Sequence, residues 1–224
     1  MAVRIYLPTT GTAPITPTGW AGGAIWTDTT QSDDKPCYAS KAGSAFATKT
    51  VGETSGSTAR VVVRRYIYGP IEAHDFTDTD TWAFQIRAQE SAAKADATIR
   101  TFMGIINGST LASRGYVFSH YGGPEADDDP MENLNGADGA AYNLSASNGD
   151  YLALEIGFSF TNTKSDLYEA TYDFGDGSGT DLPVDLVETA QYNPWIEYIG
   201  TNGDFTLCYP PSPSTYIPKI IMIT

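Results

Sequence analysis

The sequence has few cysteines, few basic residues and no long hydrophobic run, and each shortage excludes a class of protein. Two cysteines in 224 residues are too few for a disulfide scaffold or a four-ligand zinc site. Thirteen lysines and arginines face 27 aspartates and glutamates, so the net charge of -14 would repel a nucleic-acid backbone. The apolar runs are shorter than the roughly 18 residues of a membrane helix, and the N-terminus lacks the apolar stretch of a signal peptide. We therefore expect a soluble protein that is not exported by a signal peptide and binds neither nucleic acid nor membrane.

Signatures of catalysis are equally scarce. His74 and His120 lie in predicted loops or at strand ends, and no nucleophile elbow, zinc signature or phosphate loop accompanies them. The clearest strand carries one outward carboxylate, Glu155, instead of the acidic row expected of β-sandwich glycosidases. Cys37 and Cys208 match no redox motif, and they either form a disulfide or remain two reduced thiols. We expect that the protein is not an enzyme.

The residues that are abundant favour β-structure. The sequence is rich in threonine, has 14 tyrosines and 22 glycines, and its 41% hydrophobic residues are enough for a sizeable core. Residues 151–161 alternate strictly, with Leu152, Leu154 and Ile156 on one face and Glu155 on the other, which is the period of a strand. Residues 82–89 alternate in the same way. Further strands are predicted at residues 60–68, 97–106, 116–119, 167–174, 195–199 and 205–209.

Eight strands at this spacing predict an all-β fold, an antiparallel β-sandwich of jelly-roll type. Residues 1–20 are predicted to be an extended N-terminal arm, residues 21–209 the sandwich, and residues 210–224 a Pro-rich C-terminal arm, because proline fixes an extended backbone. An arm with apolar side chains docks on its own domain or lies across a neighbouring subunit. The residues predicted for such an interface are Ile5, Leu7, Ile220, Ile221, Met222 and Ile223.

The segment 61–68 bears on the same question, because it is apolar on both faces. A strand buried on both sides is covered either by an arm of its own chain or by a neighbour.

Two groups of residues are candidates for ligand binding. Asp173, Asp176 and Asp181 place oxygen atoms along a glycine-rich loop that calcium could use, although Asp176-Gly177 is also a strong hairpin-turn signal. A second acidic cluster, Glu125 with residues 127–129, is open to the same two interpretations. Trp20, Trp26 and Tyr121 lie in apparent loops and could stack on sugar rings; otherwise they hold arms or fill subunit contacts. Tyr38 and Tyr142 are further candidates of this kind.

Five segments in order carry a resemblance to a known group of proteins. They are Arg4-Ile5-Tyr6-Leu7-Pro8, residues 64–70 (RRYIYGP), residues 85–91 (QIRAQES), residues 152–158 (LALEIGF), and residues 173–185 leading to Asn193-Pro194-Trp195-Ile196-Glu197. Together they resemble a family of β-sandwich structural proteins of tailed bacteriophages and prophages. The resemblance covers most of residues 1–198 and implies a jelly-roll or lectin-like sandwich in a virion. This chain departs from the family pattern by continuing through residues 198–224.

The resemblance and the arms together predict a function. We expect a non-enzymatic virion protein that decorates or cements the capsid, or a subunit of a head or tail appendage. Its partners would then be major capsid or tail proteins and copies of itself, and multivalent display would supply avidity. The alternative is a carbohydrate-binding adhesin or receptor-binding module for a host surface glycan. A polysaccharide-degrading enzyme is a third hypothesis, and it requires two carboxylates that face each other across a groove.

Overall fold

A computed structural model describes residues 3–53, 58–92, 95–126, 128, 132–136, 140–161, 167–177 and 195–207. Within these ranges the chain forms β-strands and one turn of 3-10 helix, Gly23–Ile25, and contains no α-helix. None of the described residues belongs to a helix with the length and apolar character needed to cross a bilayer. The strands are β1 (Val3–Tyr6), β2 (Asp33–Pro36), β3 (Ala47–Glu53), β4 (Ala59–Ile71), β5 (His74–Phe76), β6 (Thr81–Glu90), β7 (Ala97–Ile106), β8 (Ser113–Glu125), β9 (Glu132–Gly136), β10 (Ala140–Ala141), β11 (Leu144–Ala146), β12 (Asp150–Phe160), β13 (Tyr168–Phe174) and β14 (Trp195–Ile199).

The first sheet is built around β6. Strands β14 and β13 pair antiparallel with successive parts of one edge of β6, and β9 pairs with the other edge. Strand β1 extends the sheet beyond β14, and β3 extends it beyond β13.

The second sheet has the strand order β10-β8-β7-β12-β4-β2. Its central strand β12 pairs antiparallel with β7 along its full length from Tyr151 to Phe160. Strand β2 pairs with β4 in parallel, so the sheet is mixed and not wholly antiparallel as the sequence predicted. This parallel register sets Asp33 beside Arg64 and Asp34 beside Arg65, and each arginine forms an ion pair with the aspartate beside it.

Apolar side chains from both sheets form one core. Leu152, Leu154 and Ile156 of β12 belong to this core, whereas Ala153 packs in a separate cluster on the opposite face, which confirms the predicted alternation. The ring of Tyr172 in β13 stacks on Phe158 of β12, with centroids 4.2 Å apart, and so joins the two sheets. Burial of one such ring contributes about 1.5–3 kcal/mol. The prediction of an all-β, sandwich-like fold is confirmed.

The N-terminal residues belong to this body. Strand β1 pairs with β14, and both Ile5 and Leu7 are 0% exposed in the core. Their assignment to an interface with another subunit was therefore wrong, because a side chain buried within its own chain has no surface for a partner. The other predicted interface residues, 220–223, lie outside the described part of the chain, as does the whole arm 210–224.

Candidate functional site

Residues 13–28, which we call the strap, lie on the outer face of the second sheet. Ala13 and Ile15 pack on a small apolar cluster formed by Ile67, Ile106 and Ala153. Trp26 packs farther along the same face, on Val62 and Phe102. These strand residues point away from the main core, so the strap buries the outer face of the sheet. The apolar outer face of β4 is thus covered by the protein's own chain.

A buried carboxylate holds the strap. The Glu155 side chain projects from β12 on the outer face and is 0% exposed. The backbone N–H groups of Ala21 and Gly22 donate to its two oxygens at 2.5 and 3.0 Å, and Trp26 Nε1–H donates at 2.7 Å. Burial raises the pKa of Glu155, and these three donors act in the opposite direction. Glu155 is therefore a structural residue and faces no groove in which a second carboxylate could act with it.

Arg65 holds the strap at a neighbouring point. Its guanidinium binds both carboxylate oxygens of Asp34 at 2.9 Å and donates to the carbonyl oxygen of Gly19 at 2.7 Å. The same guanidinium lies over the Trp20 ring, 4.2 Å from its centroid. This network fixes one of the three residues predicted to bind a sugar.

The predicted sugar-binding aromatic residues therefore divide into two kinds. Trp26 is only 6% exposed and Trp20 is half-buried on Arg65, so these two rings are part of the strap. Trp26 as an exposed sugar platform was a wrong expectation, because its indole N–H is used by Glu155. Tyr121 is 43% exposed and touches Phe102, which in turn touches Trp26. The structure thus brings Tyr121 and Trp26 to one face and leaves only Tyr121 accessible.

The predicted calcium residues serve other roles. The Asp176 carboxylate is 0% exposed and accepts hydrogen bonds from Ala42 N–H at 2.5 Å and from the Ser44 N–H and hydroxyl at 2.7 and 2.6 Å. Asp173 forms an ion pair with Arg87 at 3.2 Å. Asp181 lies outside the described residues. Hydrogen-bond donors and cations repel a metal ion, and among the described residues no group of three or more His, Cys, Asp or Glu side chains could hold one.

Glu125 and Asp128, the described members of the second acidic cluster, lie near a buried glutamate. Glu90 is 2% exposed, and its carboxylate accepts a hydrogen bond from Ala97 N–H at 2.8 Å. Burial raises the pKa of Glu90 to about 7, and the negative charges of Glu125, Asp96 and Asp128 add to this effect.

We expect the contribution of Glu90 to the free energy of unfolding to fall as the pH rises from about 4.5 to about 7. The folded state binds the Glu90 proton more tightly than the unfolded state in this window, so raising the pH favours unfolding. Glu90→Gln, which keeps an acceptor for Ala97, should flatten this slope in urea unfolding curves, although Glu155 will preserve part of it. The exposed control Glu169→Gln should keep the wild-type slope. An unchanged slope in Glu90→Gln would contradict the assignment.

The two histidines lie among aromatic side chains. His74 Nε2 is 2.8 Å from the Tyr198 hydroxyl, which donates to Asp80 at 3.0 Å. Desolvation lowers the pKa of His74. The His120 ring meets Phe84 edge to face at 4.9 Å. Both rings thus have packing roles in the sandwich.

A cleft of about 340 Å³ opens beside the end of β2. Burial raises the pKa of the Cys37 thiol within it, which makes Cys37 a weak nucleophile at neutral pH. Cys208 lies outside the described residues, so the question of a disulfide stays open. Among the described residues that line the cleft, no side chain is a carboxylate, an imidazole or a cation. The lining residues are Thr12, Pro14, Pro36, Cys37, Tyr38, Ala39, Ser40, Ile67, Tyr68, Gly69 and Leu207.

Comparison with known proteins gives no assignment. No protein-family model matches the chain, and no curated protein matches it at a significant level.

Sequence reasoning missed two features of this face. The first is the strap, because a segment without alternation carries no signal of where it packs. The second is Arg100 beside Tyr121, with Arg60 two strands away on β4, an arrangement that depends on strand order. The adjacent pair Arg64-Arg65 was visible, but its partners on β2 could be found only from the parallel register.

Proposed function

We propose that this protein is a non-enzymatic structural component of a bacteriophage virion, either a capsid decoration or cement protein or a subunit of a head or tail appendage. The observation that carries the proposal is the use of its buried carboxylates. Three of them bind backbone N–H groups of a distant segment: Glu155 binds the strap, Asp176 binds Ala42 and Ser44, and Asp80 binds Thr201. A carboxylate whose oxygens are occupied by such donors is a poor general base, and it holds distant segments of the chain together.

Segments that are held by buried carboxylates suit a protein that must remain folded on a particle. Hydrogen bonds to charged acceptors at buried positions raise the free-energy cost of local opening, which is the step that exposes loops to proteases. The acidic surface keeps many copies soluble and spaced. The resemblance of five segments to phage structural proteins supports the virion location, and it also supports a jelly-roll order of strands.

Of the residues predicted to contact another subunit, only residues 220–223 remain candidates. The N-terminal residues are held by their own chain, whereas the four apolar residues 220–223 follow a proline-rich segment. An apolar segment of this kind suits a contact with a sister subunit or with a major capsid or tail protein.

Quantitative mass spectrometry of gradient-purified particles tests the virion location. We expect the protein at many copies per particle and its retention through high-salt washing of intact particles. As a matched test of the C-terminal contact, a chain ending at residue 209 should fold but bind particles more weakly than the full chain. Absence of the protein from purified particles would contradict the proposal.

A carbohydrate-binding module is the second candidate. The observation that favours it is the exposed ring of Tyr121, which lies beside an arginine on the outer face of the second sheet. A glycan array would test this candidate in general, and binding to no glycan would contradict it.

A further inference from the structure

A small surface lies next to the strap on the outer face of the second sheet. Arg100 of β7 and Tyr121 of β8 are partners in register, and the guanidinium carbon lies 5.2 Å from the centre of the tyrosine ring. On the other side of β7, strand β12 separates Arg100 from β4. In β4, Arg60 is the register partner of Ser159 of β12. Gly157, the register partner of Arg100 in β12, has no side chain, and the edge of the Trp26 ring lies over it. We call Arg60, Arg100 and Tyr121 the outer-face patch.

The two arginines of this patch differ from the other arginines of the protein. Among the described residues, five arginines form ion pairs with carboxylates: Arg4, Arg64, Arg65, Arg87 and Arg114. Arg60 and Arg100 form no such pair within those residues, although acidic residues outnumber basic ones by 27 to 13. The Nε atoms of both are buried and have no hydrogen-bond partner in the described structure. Two guanidinium groups without carboxylates, in so acidic a chain, make a site for an external anion.

The electrostatic state of Arg100 agrees with this geometry. Desolvation lowers the pKa of its guanidinium, and the charge of Arg60 lowers it further. An anion placed between the two groups would relieve this repulsion. Glu125 stands opposite Thr98 at the end of the same strand pair, and Tyr121 stands opposite Arg100.

The aromatic part of the patch indicates what carries the anion. Tyr121 is 43% exposed, and its ring centroid lies 5.7 Å from that of Phe102. Phe102 in turn contacts the ring of Trp26. A fixed, accessible tyrosine ring stacks well on the apolar face of a pyranose. The strongly negative protein disfavours a polyanion as densely charged as nucleic acid, whereas a saccharide with spaced carboxylates suits two arginines beside one ring.

We propose that the outer-face patch binds an acidic saccharide, with a uronic-acid carboxylate held by Arg100 and Arg60 and a sugar ring stacked on Tyr121. The proposal rests on the carbohydrate-binding candidate above and names its ligand class; it does not depend on the virion location.

Titration with oligosaccharides of defined charge tests the proposal. Isothermal titration calorimetry of the full-length protein would use hyaluronan and alginate oligosaccharides as acidic probes and a malto-oligosaccharide of equal length as the neutral probe. We expect the acidic probes to bind and the binding to weaken as salt is added. Arg100→Gln and Tyr121→Ala should each weaken binding about tenfold or more, the usual effect of losing one charged hydrogen bond or one stacking contact.

Two control variants match these changes elsewhere on the protein. Lys41→Gln removes a cation that lies 5.5 Å from the Tyr6 ring, and Ile199→Ala removes an apolar side chain that is 47% exposed in β14 of the first sheet. Both should bind the acidic probe as the wild type does. Equal losses in Lys41→Gln and Arg100→Gln would show that only net charge matters and would overturn the proposal. No acidic binding would overturn it as well, and equal binding of the neutral probe would overturn the ligand class while supporting the general carbohydrate candidate.

Discussion

Replacing Glu155 with alanine is expected to lower the free energy of unfolding by about 3–5 kcal/mol. The carboxylate accepts three hydrogen bonds, from Ala21, Gly22 and Trp26, and all three donors would be left without a partner on the outer face of the sheet. The cost is a large part of the roughly 5–15 kcal/mol that holds a domain folded. Chemical denaturation monitored by circular dichroism and tryptophan fluorescence would measure it.

Two further variants separate this loss from a general effect of removing a glutamate. Glu155→Gln keeps one carbonyl oxygen but turns an amide N–H group toward donors, so we expect a smaller loss of about 1–3 kcal/mol. Glu169→Ala removes an exposed glutamate from β13 and should stay within about 0.5 kcal/mol of the wild type. Equal stability of Glu155→Ala and Glu169→Ala would show that Glu155 does not hold the strap.

Asp176→Ala should be the second large change, with a loss of about 2–4 kcal/mol. The buried Asp176 carboxylate accepts from Ala42 N–H and from both the N–H and the hydroxyl of Ser44, and the Asp176 backbone N–H donates to the Ser44 carbonyl. Loss of the carboxylate leaves two backbone donors unsatisfied, and a urea titration would measure the effect. The exposed control Asp78→Ala should cost little.

The same variant decides between the two interpretations of the Asp173–Asp181 loop. If protein donors saturate Asp176, added calcium or a chelator should leave the thermal midpoint of the wild type unchanged. A midpoint that rises with calcium in the wild type and not in Asp176→Ala would establish a calcium site and contradict the structural role given to this side chain.

Local patterns predicted the strands well because each pattern is complete within the strand. The alternation of β12 and β6 identified their buried faces, and the bounds of β7 were predicted correctly, residues 97–106. The short strands β2, β5, β10 and β11 were missed, since two to four residues are too few for an alternation to be recognised. The longer strands β3 and β9 were missed as well, and the described part of the strand predicted at residues 205–209 forms only an isolated bridge at Leu207. Strand β2 also carries two aspartates and a lysine, a composition that disfavours a strand unless the arginines of β4 lie beside it.

The site was less predictable because it depends on contacts between distant segments. Glu155 was predicted to be a carboxylate on the outer face of its strand, and that was right. Trp26 lies 129 positions earlier in the sequence, and nothing in the sequence indicated that the strap would cover Glu155. The apolar outer face of β4 was recognised as covered, and only the structure could decide that the cover is the strap. Tyr121 was found from its residue type alone, whereas Arg60 and Arg100 emerged from the strand order β8-β7-β12-β4.

Both proposals depend on the packing of the strap against its own sheet. This packing occupies the N-terminal segment and leaves the outer-face patch exposed. Amide hydrogen exchange at Ala21 and Gly22 tests it most directly. We predict that these two amides exchange about as slowly as those of β12 in the wild type, and about a hundredfold faster in Glu155→Gln. Rapid exchange of both amides in the wild type, at the rate of an exposed loop, would contradict the account.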